Sequence, residues 1–135
     1  MPTILSDHDV EGHLEALLTI WTSPDCKELW EGLDCRVETF KSLGVSPDLP
    51  DSTLWQLCQA RHIVLVTGNR NADSEDSLER TSLRLNQPDS LPVITLADAK
   101  RVLIDGPYAL RVASQILDFL ADLENLRGTR RLFAP

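Results

Sequence analysis

Ile63-Val64-Leu65-Val66-Thr67 runs directly into Gly68-Asn69-Arg70-Asn71. The first five side chains are apolar or β-branched, with no polar alternation. A strand with one wet face alternates, whereas a strand covered on both faces does not. The run therefore reads as a central strand of a parallel sheet between two helical layers. Gly68 and the two asparagines, which favour turn conformations, mark a turn at its carboxyl end.

Upstream, Asp51-Ser52 opens a helix that turns Leu54, Leu57, Cys58 and Trp55 inward. Gly44, Pro47 and Pro50 make 41–50 a loop, and Cys35–Phe40 alternates as an edge strand does. Ser23-Pro24 starts a helix with Cys26, Leu29, Trp30 and Leu33 on its buried face. Thr3–Ser6 reads as a first strand ending in Asp7-His8-Asp9, with Asp7 or Asp9 able to cap the next helix. Val10, Leu14, Leu17, Leu18 and Trp21 form the amphipathic stripe of that helix.

Downstream, Asp73–Leu85 reads as a polar helix, with Asp76 and Glu79 spaced as a capping pair. Pro92–Leu96 reads as a fourth strand, Asp98–Leu103 as a short helix and Pro107–Leu126 as a long one stopped by Gly128. Ala109, Val112, Ala113, Ile116, Leu120 and Leu123 form its inner stripe. Leu117, Phe119 and Leu126 fall outside that stripe. The tail residues Leu132 and Phe133 could cover them, or a second subunit could, and the expectation is a homodimer through 107–135.

The alternation of strands and helices implies a three-layer α/β/α domain over 1–135, with a central parallel sheet of about four strands. At 135 residues the chain can bury roughly two-thirds of its unfolded surface without disulfides or metals. Three cysteines without a Cys-x-x-Cys pair argue against a disulfide framework or a thiolate zinc site and suggest reduced thiols in a cytoplasmic protein. No leader pattern and no membrane-length apolar run is seen. The net charge of −8 repels nucleic acid at long range, so any such contact must use a local basic patch or a metal. Arg127, Arg130 and Arg131 are the densest basic cluster, although cations after a helix also meet its dipole.

Ligands of open parallel sheets bind at the carboxyl ends of strands. Asp7 and Thr67–Asn71 lie at such ends, and Asp51 begins the helix that feeds the strand ending in Thr67. Each has an ordinary structural role as well: Asp7 and Asp51 as helix caps, Thr67–Asn71 as a turn. His8 and His13, five residues apart, suit a solvated face better than joint metal ligation. No glycine-rich phosphate loop or nucleophile elbow is present. A phospho-receiver would need an Asp at the end of a central strand, where this chain has Thr67.

The segments Ile4-Leu5-Ser6-Asp7-His8-Asp9-Val10 and 51–71, with the strand Pro92–Leu96, resemble the PIN-like superfamily, in particular short bacterial PIN-like proteins related to the ribonuclease toxins of toxin–antitoxin pairs. The resemblance spans roughly residues 3–100. It implies a metal-dependent endoribonuclease in which carboxylates hold Mg²⁺ or Mn²⁺. Asp7 and Asp51 would be metal ligands. Asn69 and Asn71 stand where such proteins are typically acidic, and would complete the site as neutral ligands or hold phosphate oxygens. Asp73 and Asp76 would supply further carboxylates, Thr67 would orient water or a carboxylate, and Arg70 would pair with a phosphate of the RNA. The rival expectation is a non-catalytic interaction module that keeps the fold, has lost the metal chemistry and binds a protein partner.

Overall fold

The structure, a computed structural model, describes residues 2–68 and 78–135. Five short strands build it: β1 (Thr3–Ser6), β2 (Arg36–Glu38), β3 (Val64–Thr67), β4 (Val93–Leu96) and β5 (Arg131–Ala134). All neighbours pair in parallel, in the order β2-β1-β3-β4-β5. Every strand therefore ends at the same edge of the sheet. The chain moves outward from β1 to β2 and then crosses back to place β3 on the other side of β1. That reversal puts the topological switch point between β1 and β3.

The helices are α1 (Glu11–Trp21), α2 (Lys27–Leu33), α3 (Phe40–Leu43), α4 (Asp51–Ala60), α5 (Leu78–Leu85), α6 (Ala99–Ile104) and α7 (Gly106–Ala121). They cover both faces of the sheet. One face carries Ile4, Val64, Val66, Ile94, Leu96 and Ala134 against α1, α6 and α7. The other carries Leu5, Leu65 and Val93 against Phe40 and the Leu54, Trp55 and Cys58 side of α4. This is the expected α/β/α sandwich, and all four residues of β3 are buried. On the first face Trp21 is fully buried, donates from Nε1 to the Ala113 carbonyl at 2.9 Å and stacks on Trp30 at 4.9 Å.

The structure corrects several expectations. The sheet has five strands, because the tail forms β5 along β4. The second helix starts at Lys27, since Ser23–Cys26 is a turn with Cys26 and Lys27 both donating to the Ser23 carbonyl. Its Leu29 is 45% exposed and not part of the core. The stretch read as a loop after β2 contains α3, held by a reciprocal capping box between Thr39 and Ser42.

The long helix ends at Ala121. There the Asp122 side chain accepts from Asn125 Nδ2 at 2.6 Å, and a 3₁₀ turn, Leu123–Leu126, takes over. Gly128 is not its stop but part of a later tight turn. At φ +83° an added Cβ would lie 2.8 Å from the Pro88 carbonyl oxygen. Leu117 is buried within the chain, and Phe119 packs against the core. The apolar excess on α7 that suggested a second subunit is thus largely covered by the chain itself. Among the described residues no helix is long and apolar enough to cross a membrane.

Candidate functional site

β1 delivers Asp7 to the switch point. Its backbone N–H donates to the Val66 carbonyl at 2.8 Å, extending the β1–β3 ladder by one residue. The chain then turns into a 3₁₀ segment, His8–Val10, and the Asp7 carboxylate serves as its cap. Oδ1 accepts from the His8 backbone N–H at 2.7 Å. Oδ2 accepts from the Thr67 hydroxyl at 3.1 Å. The expected cap role of Asp7 is therefore present, together with a second bond across the crevice to the end of β3.

Asp51 enters from α4. Pro50, not Asp51, holds the cap position of that helix. Asp51 is its first residue, half-buried, with its carboxylate in the first turn where the helix dipole favours negative charge. Its charge reaches Asp7. Burial does most to push the Asp7 carboxyl above its ordinary value, the His8 and Thr67 hydrogen bonds oppose the rise, and the charges of Asp51 and then Asp9 add to it. Cys58, further along α4, is a buried thiol pushed up to about 12 by burial and then by the charge of Asp7. Asp7, Thr67 and α4 thus converge at one edge.

Asn69, Arg70, Asn71, Asp73 and Asp76 lie outside the described residues. Gly68, which leads toward them, is closely flanked: a Cβ there would meet Val10 Cγ1 at 3.2 Å and Ala99 Cβ at 3.7 Å. The start of α6 therefore borders the crevice. Strand–helix alternation alone contains this neighbour, since α6 leaves β4 at the same edge. Thr95 was also missed. It is the register partner of Thr67 on β4, fully buried, and its hydroxyl has no hydrogen-bond partner among the described residues. The echo between Val64-Leu65-Val66-Thr67 and Val93-Ile94-Thr95 is the signal that could have found it.

His8 lies on a solvated face, as its spacing from His13 suggested. It is exposed and ion-paired with Glu11 at 3.2 Å, and that bond raises its pKa. Arg127, Arg130 and Arg131 sit at the opposite edge of the sheet. Arg127 binds Glu124 at 2.8 Å and the Asp89 carbonyl, Arg130 donates to Ser82 Oγ, and Arg131 is buried.

A cleft of about 710 Å³ opens on the β2 side of β1, next to Ser6 and His8. Ser6 and His8, on either side of Asp7, line it, but Asp7, Asp51 and Thr67 do not. No family model matches the chain, and no curated protein or solved structure matches it.

The donor set at the crevice suits a hard cation. Two carboxylates and a hydroxyl supply only oxygen, and the mutual repulsion of Asp7 and Asp51 is of the kind a cation relieves. Among the described residues no three His, Cys, Asp or Glu side chains come close enough to hold a metal.

Proposed function

We propose that this chain is a PIN-like protein whose β1–β3 crevice binds Mg²⁺ or Mn²⁺ through Asp7 and Asp51 and acts on RNA. The observation that carries this reading is the Asp7 carboxylate. It is held at the switch point by one donor on each oxygen, beside a second carboxylate, despite the cost of its burial. The two donors fix the direction in which Asp7 presents its remaining lone pairs. Thr67 donates to Oδ2, and Asp51, in the first turn of α4, is near enough for its charge to act on Asp7. When bound, a divalent cation would lower the pKa of a coordinated water and offset charge on a phosphodiester. Asn69 and Asn71 are proposed as neutral ligands, Asp73 and Asp76 as further carboxylates, and Arg70 as a bidentate phosphate contact.

A second reading is favoured by the two-carboxylate count among the described residues and by the asparagines in the following turn. In it, the chain is a non-catalytic module that keeps the fold and binds a protein partner. In either reading we place it in the cytoplasm. A homodimer would use the outer edge of β5, where Phe133 is 47% exposed.

Thermal melting in millimolar Mg²⁺ and Mn²⁺, with single-stranded RNA cleavage measured in parallel, tests the proposal. The wild type should gain a few degrees with metal, and Asp7→Asn should lose that gain. Equal responses of the two chains would remove Asp7 as a ligand. A wild type that neither responds to metal nor cleaves RNA would support the second reading.

A further inference from the structure

We propose that the cleft beside β1 is a binding site for a small organic cation with an apolar body, such as an alkyl or arylalkyl ammonium. The inference is independent of any metal or RNA chemistry at the crevice.

The cleft lies between the first half of α1 and the β2–α3 corner. Its walls are mainly apolar: Leu14, Leu18, Val37, Phe40 and Val45 face it, and Phe40 and Leu14 belong to the buried core. Its volume of about 710 Å³ falls in the range of pockets that enclose a small molecule. A polar surface groove would simply be solvated; this one leaves apolar side chains facing water at a concave site.

The rim decides the sign of the ligand. Glu11, Glu15 and Glu38 line the cleft, against Lys41 and the His8 imidazole, whose pKa is raised by Glu11. Glu11 is engaged with His8. Glu38 accepts from Ser42 Oγ through Oε2 at 2.5 Å, and is half-buried beside the apolar wall. Glu15 is exposed, and among the described residues its carboxylate has neither a hydrogen bond nor an ion pair. Asp9 and Asp48 add to the negative field felt at His8. Carboxylates around a low-dielectric concavity focus a potential that attracts cations and rejects anions. A phosphate-bearing ligand is thereby disfavoured, and an amine whose body fills the apolar wall is matched on both counts.

The test uses three probes of one shape and different charge, namely phenylbutylamine, phenylbutanol and phenylbutyrate, titrated into the ¹⁵N-labelled chain. The amine should give saturable shifts at the amides of Glu15, Leu18, Val37 and Lys41. The alcohol should bind more weakly and the carboxylate not at all. Replacing both Glu15→Gln and Glu38→Gln should weaken the amine by roughly fivefold and leave the alcohol unchanged. Glutamine at 38 can still accept from Ser42, so the corner should remain folded. Salt offers a check that needs no variant, since it should weaken the amine and spare the alcohol. Equal binding of amine and carboxylate, shifts mapping elsewhere, or no saturable binding of the amine would each overturn the proposal.

Discussion

Asp7 has a donor on each carboxylate oxygen, yet its carboxyl is still held above the ordinary value of 3.8, because burial outweighs the two hydrogen bonds. The native state therefore keeps this proton to higher pH than the unfolded chain does. Between the two pKa values the native state binds more protons, so stability falls as pH rises through that window. Asp7→Asn preserves acceptance from Thr67 or His8 through its amide oxygen at one position and removes the buried charge. The variant should melt a few degrees above the wild type at neutral pH, with the difference shrinking as pH falls through the raised Asp7 range toward 3.8 and constant below it. Calorimetry from neutral to acid pH checks this, and a variant less stable than wild type at neutral pH would show that burial of the charge is not the dominant cost. The thiols carry no comparable tension. Cys26 and Cys58 are buried, and burial pushes Cys35 up to about 11.

At the scale of elements, the turn into β5 carries the sharpest constraint. Gly128 has φ +83°, donates to the Ser90 carbonyl at 2.8 Å and accepts from Asn86 Nδ2 at 2.9 Å, with the Pro88 backbone against its Cα. Gly128→Ala should cost about 1–3 kcal/mol, from the left-handed backbone and the contact with Pro88. Denaturant unfolding measures it, and a neutral result would mean that the turn relaxes freely. The same turn shows where sequence reading stops. The central strand was legible because Val64–Thr67 is buried on both faces, and its apolar run says so. Asp98 was legible as a helix start and caps α6 through Arg101 N–H. β5 was not legible. It is four residues long, opens with an arginine, and buries that arginine instead of exposing it. The end of α7 was hidden because Leu123 and Leu126 continue the apolar spacing into a 3₁₀ turn. At the site, Asp7, Asp51 and Thr67 could be placed from strand–helix order alone. Strand–helix alternation brings the start of α6 to the same edge and the Thr67–Thr95 echo marks the other strand end, but the contact of Ala99 with Gly68 and the pairing of Thr95 with Thr67 depend on tertiary packing and register.

At the scale of the molecule, the densest arginine cluster and the candidate site lie at opposite edges of the sheet. The arginines that are densest in sequence lie at the amino edge, and the acidic crevice and cleft lie at the carboxyl edge. Arg127 is engaged by Glu124 and the Asp89 carbonyl. Arg127→Gln should therefore lower the melting temperature slightly and leave any RNA retention unchanged, as a filter-binding assay beside a melt would show. A loss of retention without a change in melting would reassign that edge. The parallel order has one more consequence. The partners Asp7 and Thr67 are 60 residues apart in the chain, and the described strands, all parallel, form no hairpin that could bring them together locally. Closing such separations slows folding, and it leaves no partial structure in which the crevice exists without the sheet. The Asp7 amide, bonded to Val66 between the two central strands, should then exchange its hydrogen with solvent only when the whole domain opens. Its exchange free energy should equal the global unfolding free energy, and a much faster exchange would mean that β1 can detach alone.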